Sequence, residues 1–158
     1  MIRKRTFITA LASLVLLISG CSADAPRGAA VGDHWHASLA ITICGERYVA
    51  PQFPGGIHTH GDGVIHIHPN SDAEAGDHAT LGRFLNNALE GGALAVDRGL
   101  IQVPLGALYQ GAWRTKRDGD ACPNNANGAL RVTINGHPHP NFLGYRLQDE
   151  DEVDISFR

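Results

Sequence analysis

Methionine is nearly missing from this sequence: Met1 is the sole one, at the head of an expected signal segment. That excludes a methionine-based copper(I) carrier, because soft thioether ligands are absent. Charge of either sign is also scarce. The net charge is −3 and no basic stripe is present, so the usual electrostatic footprint of nucleic-acid binding is lacking. No apolar run reaches the about 20 residues that a membrane-spanning helix needs. No CxxC spacing occurs, which argues against thiol-redox chemistry, and no serine or cysteine nucleophile constellation is apparent. Apart from paired histidines, no internal repeat is found.

The first residues are informative. Arg3, Lys4 and Arg5 form a short basic region, followed by an apolar run from Phe7 to Ile18. A basic start, a short apolar middle and small residues at its end predict a signal peptide over residues 1–20. Its last residues, Ile18-Ser19-Gly20-Cys21, resemble the bacterial lipobox. The resemblance implies that Cys21 carries a diacylglycerol lipid (with palmitate-type acylation) and begins the mature chain. It also implies a protein held at the extracytoplasmic face of the cell membrane. Residues 21–32 are small, polar and proline-containing, and read as a flexible tether. Residues 33–158 suit a single domain.

Two cysteines remain, Cys44 and Cys122. Outside the cytoplasm such a pair is expected to form a disulfide; the competing reading makes them soft metal ligands.

Alternation of apolar and polar residues predicts strands over 38–44, 47–50, 57–60, 64–68, 100–103, 112–115, 130–134 and 152–157. Leu81, Phe84, Leu85, Ala88 and Leu89 recur at helical spacing, with Thr80 as N-cap and Gly91-Gly92 as the stop. Asn135-Gly136 is a hairpin turn signal. The fold class expected is α+β: a mixed sheet with one main helix on one face and a histidine-rich hairpin insert. The tail from Tyr145 to Ile155 resembles the closing strand of β-grasp, or ubiquitin-like, proteins.

Histidine is what this chain has in excess. Seven of its nine histidines fall between His34 and His78. They come as pairs two apart, His34/His36, His58/His60 and His66/His68, with His78 single. On a strand, residues two apart share a face. If Gly61-Asp62-Gly63 is a three-residue loop with Gly63 left-handed, His58 faces His66. All four histidines of that hairpin then lie on one face, and Ile57, Thr59, Ile65 and Ile67 on the other. A two-residue loop would mix the two sets, so burial of one face selects the odd loop. Neutral imidazole is a common ligand for zinc and copper. The site expected is one transition-metal ion, Zn(II) or Cu(II), on His58, His60 and His66, with His36 or His68 supplying a further ligand. His34 and His78 are further candidates. A pH-sensing role rests on the same cluster. Asp62, Asp72, Glu74 and Asp77 are either partners orienting imidazoles or ordinary loop acids. Trp35 should face the core, and His137 and His139 should lie in a surface turn.

The pattern resembles an uncharacterised family of small extracytoplasmic domains of bacteria and archaea. The resemblance runs through His34-Trp35-His36-Ala37, Ile57-His58-Thr59-His60, Val64-Ile65-His66-Ile67, the helix start Thr80-Leu81-Gly82-Arg83-Phe84, the stretch Leu130 to Gly136, and Glu152-Val153-Asp154-Ile155. Members are tethered by lipid in some cases and fused to thiol-redox or transmembrane segments in others. The function these readings lead to is a lipid-anchored metal-binding protein, with an envelope protein as a further partner. Two rivals stay open. One is a metal-dependent enzyme, since three histidines leave room for a metal-bound hydroxide; Gly56 to His60 also resembles the copper-ligand stretch of copper/zinc superoxide dismutase. The other is an accessory envelope module in which the metal is structural.

Overall fold

The structure is a computed structural model that describes residues 27–105, 112–123 and 127–158. The segment expected to be a signal peptide and Cys21 lie outside the described residues. The described residues form an α+β fold of two sheets and one α-helix.

The long first strand, β1 (Trp35–Ile43), organises the larger sheet. Its odd residues, from Ala37 to Ile43, are buried and apolar; its even residues face outward. Alternation therefore continues three residues before the expected start at Ser38. A left-handed turn at Cys44 and Gly45, with φ of 53° and 87°, returns the chain as β2 (Glu46–Tyr48). The histidine hairpin follows as β3 (Ile57–His58) and β4 (Val64–Ile67). Strand β4 pairs antiparallel with the first half of β1. On the other side of β1 lies the last strand, β10 (Glu152–Phe157), in parallel register. β8 (Leu130–Ile134) and β9 (His137–Pro138) complete the order β3-β4-β1-β10-β8-β9, with β2 also on β1. The type of turn expected at Asn135-Gly136 is present, with φ of 53° and 76°. The parallel pairing of β1 and β10 agrees with the expected closing strand. The chain adds β3 and β4 on one edge and a separate second sheet, so the narrower β-grasp label is not confirmed.

Helix α1 (Leu81–Glu90) starts where the sequence indicates: the Thr80 hydroxyl accepts from the Arg83 N–H at 3.1 Å. Leu81, Phe84, Leu85 and Ala88 are buried against the sheet. Leu89, grouped with them by spacing, is instead 53% exposed, because it sits on the solvent side of the last turn. The Asn87 side-chain amide donates to the Ile57 carbonyl at 2.9 Å, tying the helix to the histidine hairpin. The helix thus covers the face opposite the histidines.

A second sheet went unanticipated. It is a meander of β5 (Ala95–Asp97), β6 (Leu100–Pro104) and β7 (Trp113–Arg117). Strand β5 is too short to show alternation. The disulfide expected between Cys44 and Cys122 is formed, with Cα atoms 5.2 Å apart. It ties the end of β1 to the segment after β7.

Packing also begins earlier than position 33. Gly28 and Ala29, placed in the tether by composition, are buried, and the Gly76 N–H donates to the Ala29 carbonyl at 2.7 Å. No helix among the described residues is long and apolar enough to cross a membrane.

Candidate metal centre on the open sheet face

The loop between β3 and β4 sets the site. Gly61 and Gly63 take φ of 81° and 77°, a region that glycine enters without steric cost. With the three-residue loop in place, His58 pairs with His66 and Ile57 with Ile67, as the parity argument requires. Strand β1 extends the same rows: His36 pairs with His66 and Trp35 with Ile67. One row across three strands therefore reads His36, His66, His58. The same register continued beyond β1 puts His34 opposite His68, and their rings lie 3.8 Å apart. Ile57, Ile65 and Ile67 are fully buried on the reverse face. Each contributes about 2 kcal/mol of burial that a one-residue slip would forfeit.

Six imidazoles form one continuous patch, with centroid separations of 3.8 to 6.0 Å between neighbours. That spacing follows from strands about 4.8 Å apart. The tightest convergence is at His34, His36 and His68, whose ligand nitrogens all lie within 4.8 Å of one another. His34 Nε2 and His36 Nε2 are 3.2 Å apart. Two nitrogens bound to one tetrahedral zinc at 2.0–2.1 Å stand about 3.3 Å apart, so this pair already has the ligand spacing. His68 Nε2 is buried with no hydrogen-bond partner. An orphaned buried acceptor costs about 1–3 kcal/mol, which a bound cation would relieve. The donor set therefore fits a borderline transition metal.

The set favoured by the loop geometry, His58, His60 and His66, lies beside this triad. His58 Nε2 and His60 Nε2 are also 3.2 Å apart. His66 Nε2 is engaged by Asp62 Oδ2 at 2.8 Å. His58 Nδ1 is buried without a well-formed hydrogen bond.

Burial, the largest influence, lowers the pKa of His58, and the neighbouring His60 and His66 act in the same direction. The Gly55 carbonyl and Asp62 oppose it. Burial also leads for His68, whose pKa falls to about 4, helped by His34, His58, His66 and His36. Both rings are thus held in the neutral, metal-competent form. Burial alone would raise the Asp62 carboxyl. The hydrogen bonds from His66 and the Val64 N–H outweigh it and hold the group down at about 2.

Of the four candidate acids, Asp62 is the one joined to an imidazole. Glu74 accepts from the Gly56 and Asn70 N–H groups at 3.0 and 3.1 Å. It clamps two loops, and a Cβ on Gly56 would overlap its carboxylate. Asp77 pairs with Arg146 at 3.1 Å. Asp72 is exposed in its loop. His78, a further ligand candidate, is not brought to the patch. It lies exposed in a 3-10 turn (Gly76–His78) before α1, because the loop after Pro69 carries it away from the hairpin. His137 is exposed, and His139 packs on Tyr145 at 5.0 Å, both in the turn expected for them. Trp35 faces the core side, with the Arg27 guanidinium 5.3 Å from its ring centre.

The sequence underweighted His34 and His36. The signal that finds them is the unbroken alternation Trp35-Ala37-Leu39-Ile41, which makes both outward residues of one strand edge. The rest of the same open face has a hollow of about 680 Å³ whose lining includes Ser38, Thr42, Thr133 and Asp154 but no histidine. Comparison with protein-family models, curated proteins and solved structures finds no match.

Proposed function

We propose that this chain is a lipoprotein of the extracytoplasmic membrane face that binds a transition metal, Zn(II) or Cu(II), on its histidine face. One observation carries the metal reading: the convergence of His34, His36 and His68 within 4.8 Å, with the His68 nitrogen unpartnered. An all-imidazole set without methionine suits zinc or copper(II) better than copper(I). Supporting the lipid anchor are the short apolar run and the Ile18-Ser19-Gly20-Cys21 stretch. The likeness to small extracytoplasmic histidine-rich domains belongs to the same proposal.

The exposure of His34 and His36 supports metal handling over a purely structural role. Structural zinc sites are closed, with four protein ligands. Here three imidazoles, two of them exposed, leave a position where a metal can be exchanged with an envelope partner. In this reading His34, His36 and His68 hold the ion, and the bound ion supplies Lewis acidity at its open position. The same open position is what favours the enzymatic reading as the second choice.

Two measurements on protein isolated from its native envelope test the proposal. Elemental analysis should find zinc or copper at or above one ion per chain. Replacing Cys21 by alanine should move the protein out of the membrane fraction. Metal-free protein that takes up neither ion refutes the metal reading. Unchanged fractionation of the Cys21→Ala variant refutes the anchor.

A further inference from the structure

The six imidazoles divide into two sets: His34, His36 and His68 bring their ligand nitrogens within 4.8 Å of one another, and His58, His60 and His66 share with them the paired spacing alone. Each HxH pair, His34/His36 and His58/His60, holds its two Nε2 atoms 3.2 Å apart. That is the spacing of two ligands on one ion, and a single such clamp would suffice for a single site. The clamps stand on opposite sides of β4, on β1's leading edge and on β3. Between them, His66 on β4 and His68 just beyond its end lie on the same face. His68 converges with His34 and His36. His66 touches His60 and His58 at ring distances of 4.4 and 5.4 Å.

We infer that the patch holds two metal ions side by side, one on His34, His36 and His68, the other on His58, His60 and His66. The inference rests on the metal-binding reading and adds a second ion to it. Asp62 has a defined part in the second site. It engages Nε2 of His66, leaving Nδ1 as the ligand atom, and so acts as the carboxylate that orients a metal-bound imidazole. Among the described residues no carboxylate bonds a ring of the first site; Asp149 accepts from the backbone N–H of His36 instead. The two ions are therefore chemically distinct, and mutual repulsion makes the second to load the weaker.

His34 and His60 are both exposed, so glutamine at either leaves the core untouched. The full chain, stripped of metal and reloaded with zinc, is expected to hold two ions. His34→Gln and His60→Gln should each hold one, and the double variant none. With copper(II) as the probe, the doubly loaded protein should show magnetic interaction between the ions, and each single variant an isolated copper(II) spectrum. Two ions retained by His60→Gln, or one ion in the parent protein, would overturn the second site while leaving metal binding intact. No ion in the parent protein would overturn the metal-binding reading itself.

Discussion

Replacing His68 by leucine separates what the site costs the fold from what it does. The imidazole is half-buried, and its Nε2 has no partner. Leucine fills a similar volume without a polar atom, and the His68 N–H bond to the Gly56 carbonyl is made by backbone. Removing an unsatisfied buried polar group relieves about 1–3 kcal/mol, part of which is lost to imperfect packing. The metal-free variant is therefore expected to be as stable as the parent or about 1 kcal/mol more stable at pH 7. For a domain of this size that is a rise in Tm of about 2–6 °C. Metal reverses the order. An ion at one hundred times its Kd stabilises the folded parent by about 2.7 kcal/mol, and the variant forfeits most of this. The pH profile follows from the lowered pKa of His68, caused first by burial. The unfolded chain takes up a proton near pH 6.5, whereas the folded state resists until about 4. Stability from this group is thus complete above the unfolded value and lost as pH falls from 6.5 toward about 4. The leucine variant should lack that part of the slope. Urea denaturation from pH 4 to 7.5, with and without zinc, reads all three effects. A metal-free variant weakened by more than about 2 kcal/mol, with zinc stabilising both proteins equally, would show His68 to be a packing residue and refute the reasoning.

Other perturbations test the frame around the site. Serine at both Cys44 and Cys122 opens a loop with a sequence separation of 78. Loop-closure entropy sets that loss at about 4.5 kcal/mol, measurable as a fall in the urea midpoint. Ile65→Ala leaves a cavity directly under the histidine rows and should cost about 2–5 kcal/mol by the same assay. Asp62→Asn should weaken zinc binding at the His58 side by about 10–100-fold in calorimetric titration, with His34, His36 and His68 unaffected. His137→Ala should leave zinc affinity unchanged, since that ring is exposed and remote from the patch.

Much of this was legible because alternation reports which face a residue takes. Strands at 130–134 and 152–157 have the bounds the pattern predicts, and Thr80 caps the helix as expected. The odd loop at Gly61-Asp62-Gly63 followed from requiring Ile57, Ile65 and Ile67 on one side. What stayed hidden was what pairs with what. Alternation registered the second sheet's strands at 100–103 and 112–115 but not the three-residue β5, and nothing local said that these strands pair apart from the main sheet. The pairing of β1 with β4 joins residues about thirty apart, and no local pattern encodes it. Without it, His36 reads only as one of two alternative further ligands and His34 as an added candidate, and the site is centred on the hairpin. The acids were ambiguous for a related reason: Glu74 serves backbone N–H groups contributed by a loop closed through tertiary structure.

Core and site are therefore two readings of one register. Every histidine of the patch that lies within a strand has an apolar neighbour pointing the other way: His36 beside Trp35 and Ala37, His58 beside Ile57, His66 beside Ile65 and Ile67. The burial that fixes the isoleucines also fixes the imidazoles, because a shift of one residue would exchange the two sets. The ligands need no dedicated scaffold. Their backbone positions are held by the free energy of core formation, which far exceeds what an imidazole patch contributes by itself. The cost falls on the imidazole nitrogens at His58 and His68, which are buried without partners. A sheet face built only for solubility would carry lysine, glutamate or threonine at these positions and leave no such orphans. The orphaned nitrogens are the point at which stability alone stops explaining the sequence and a cation begins to.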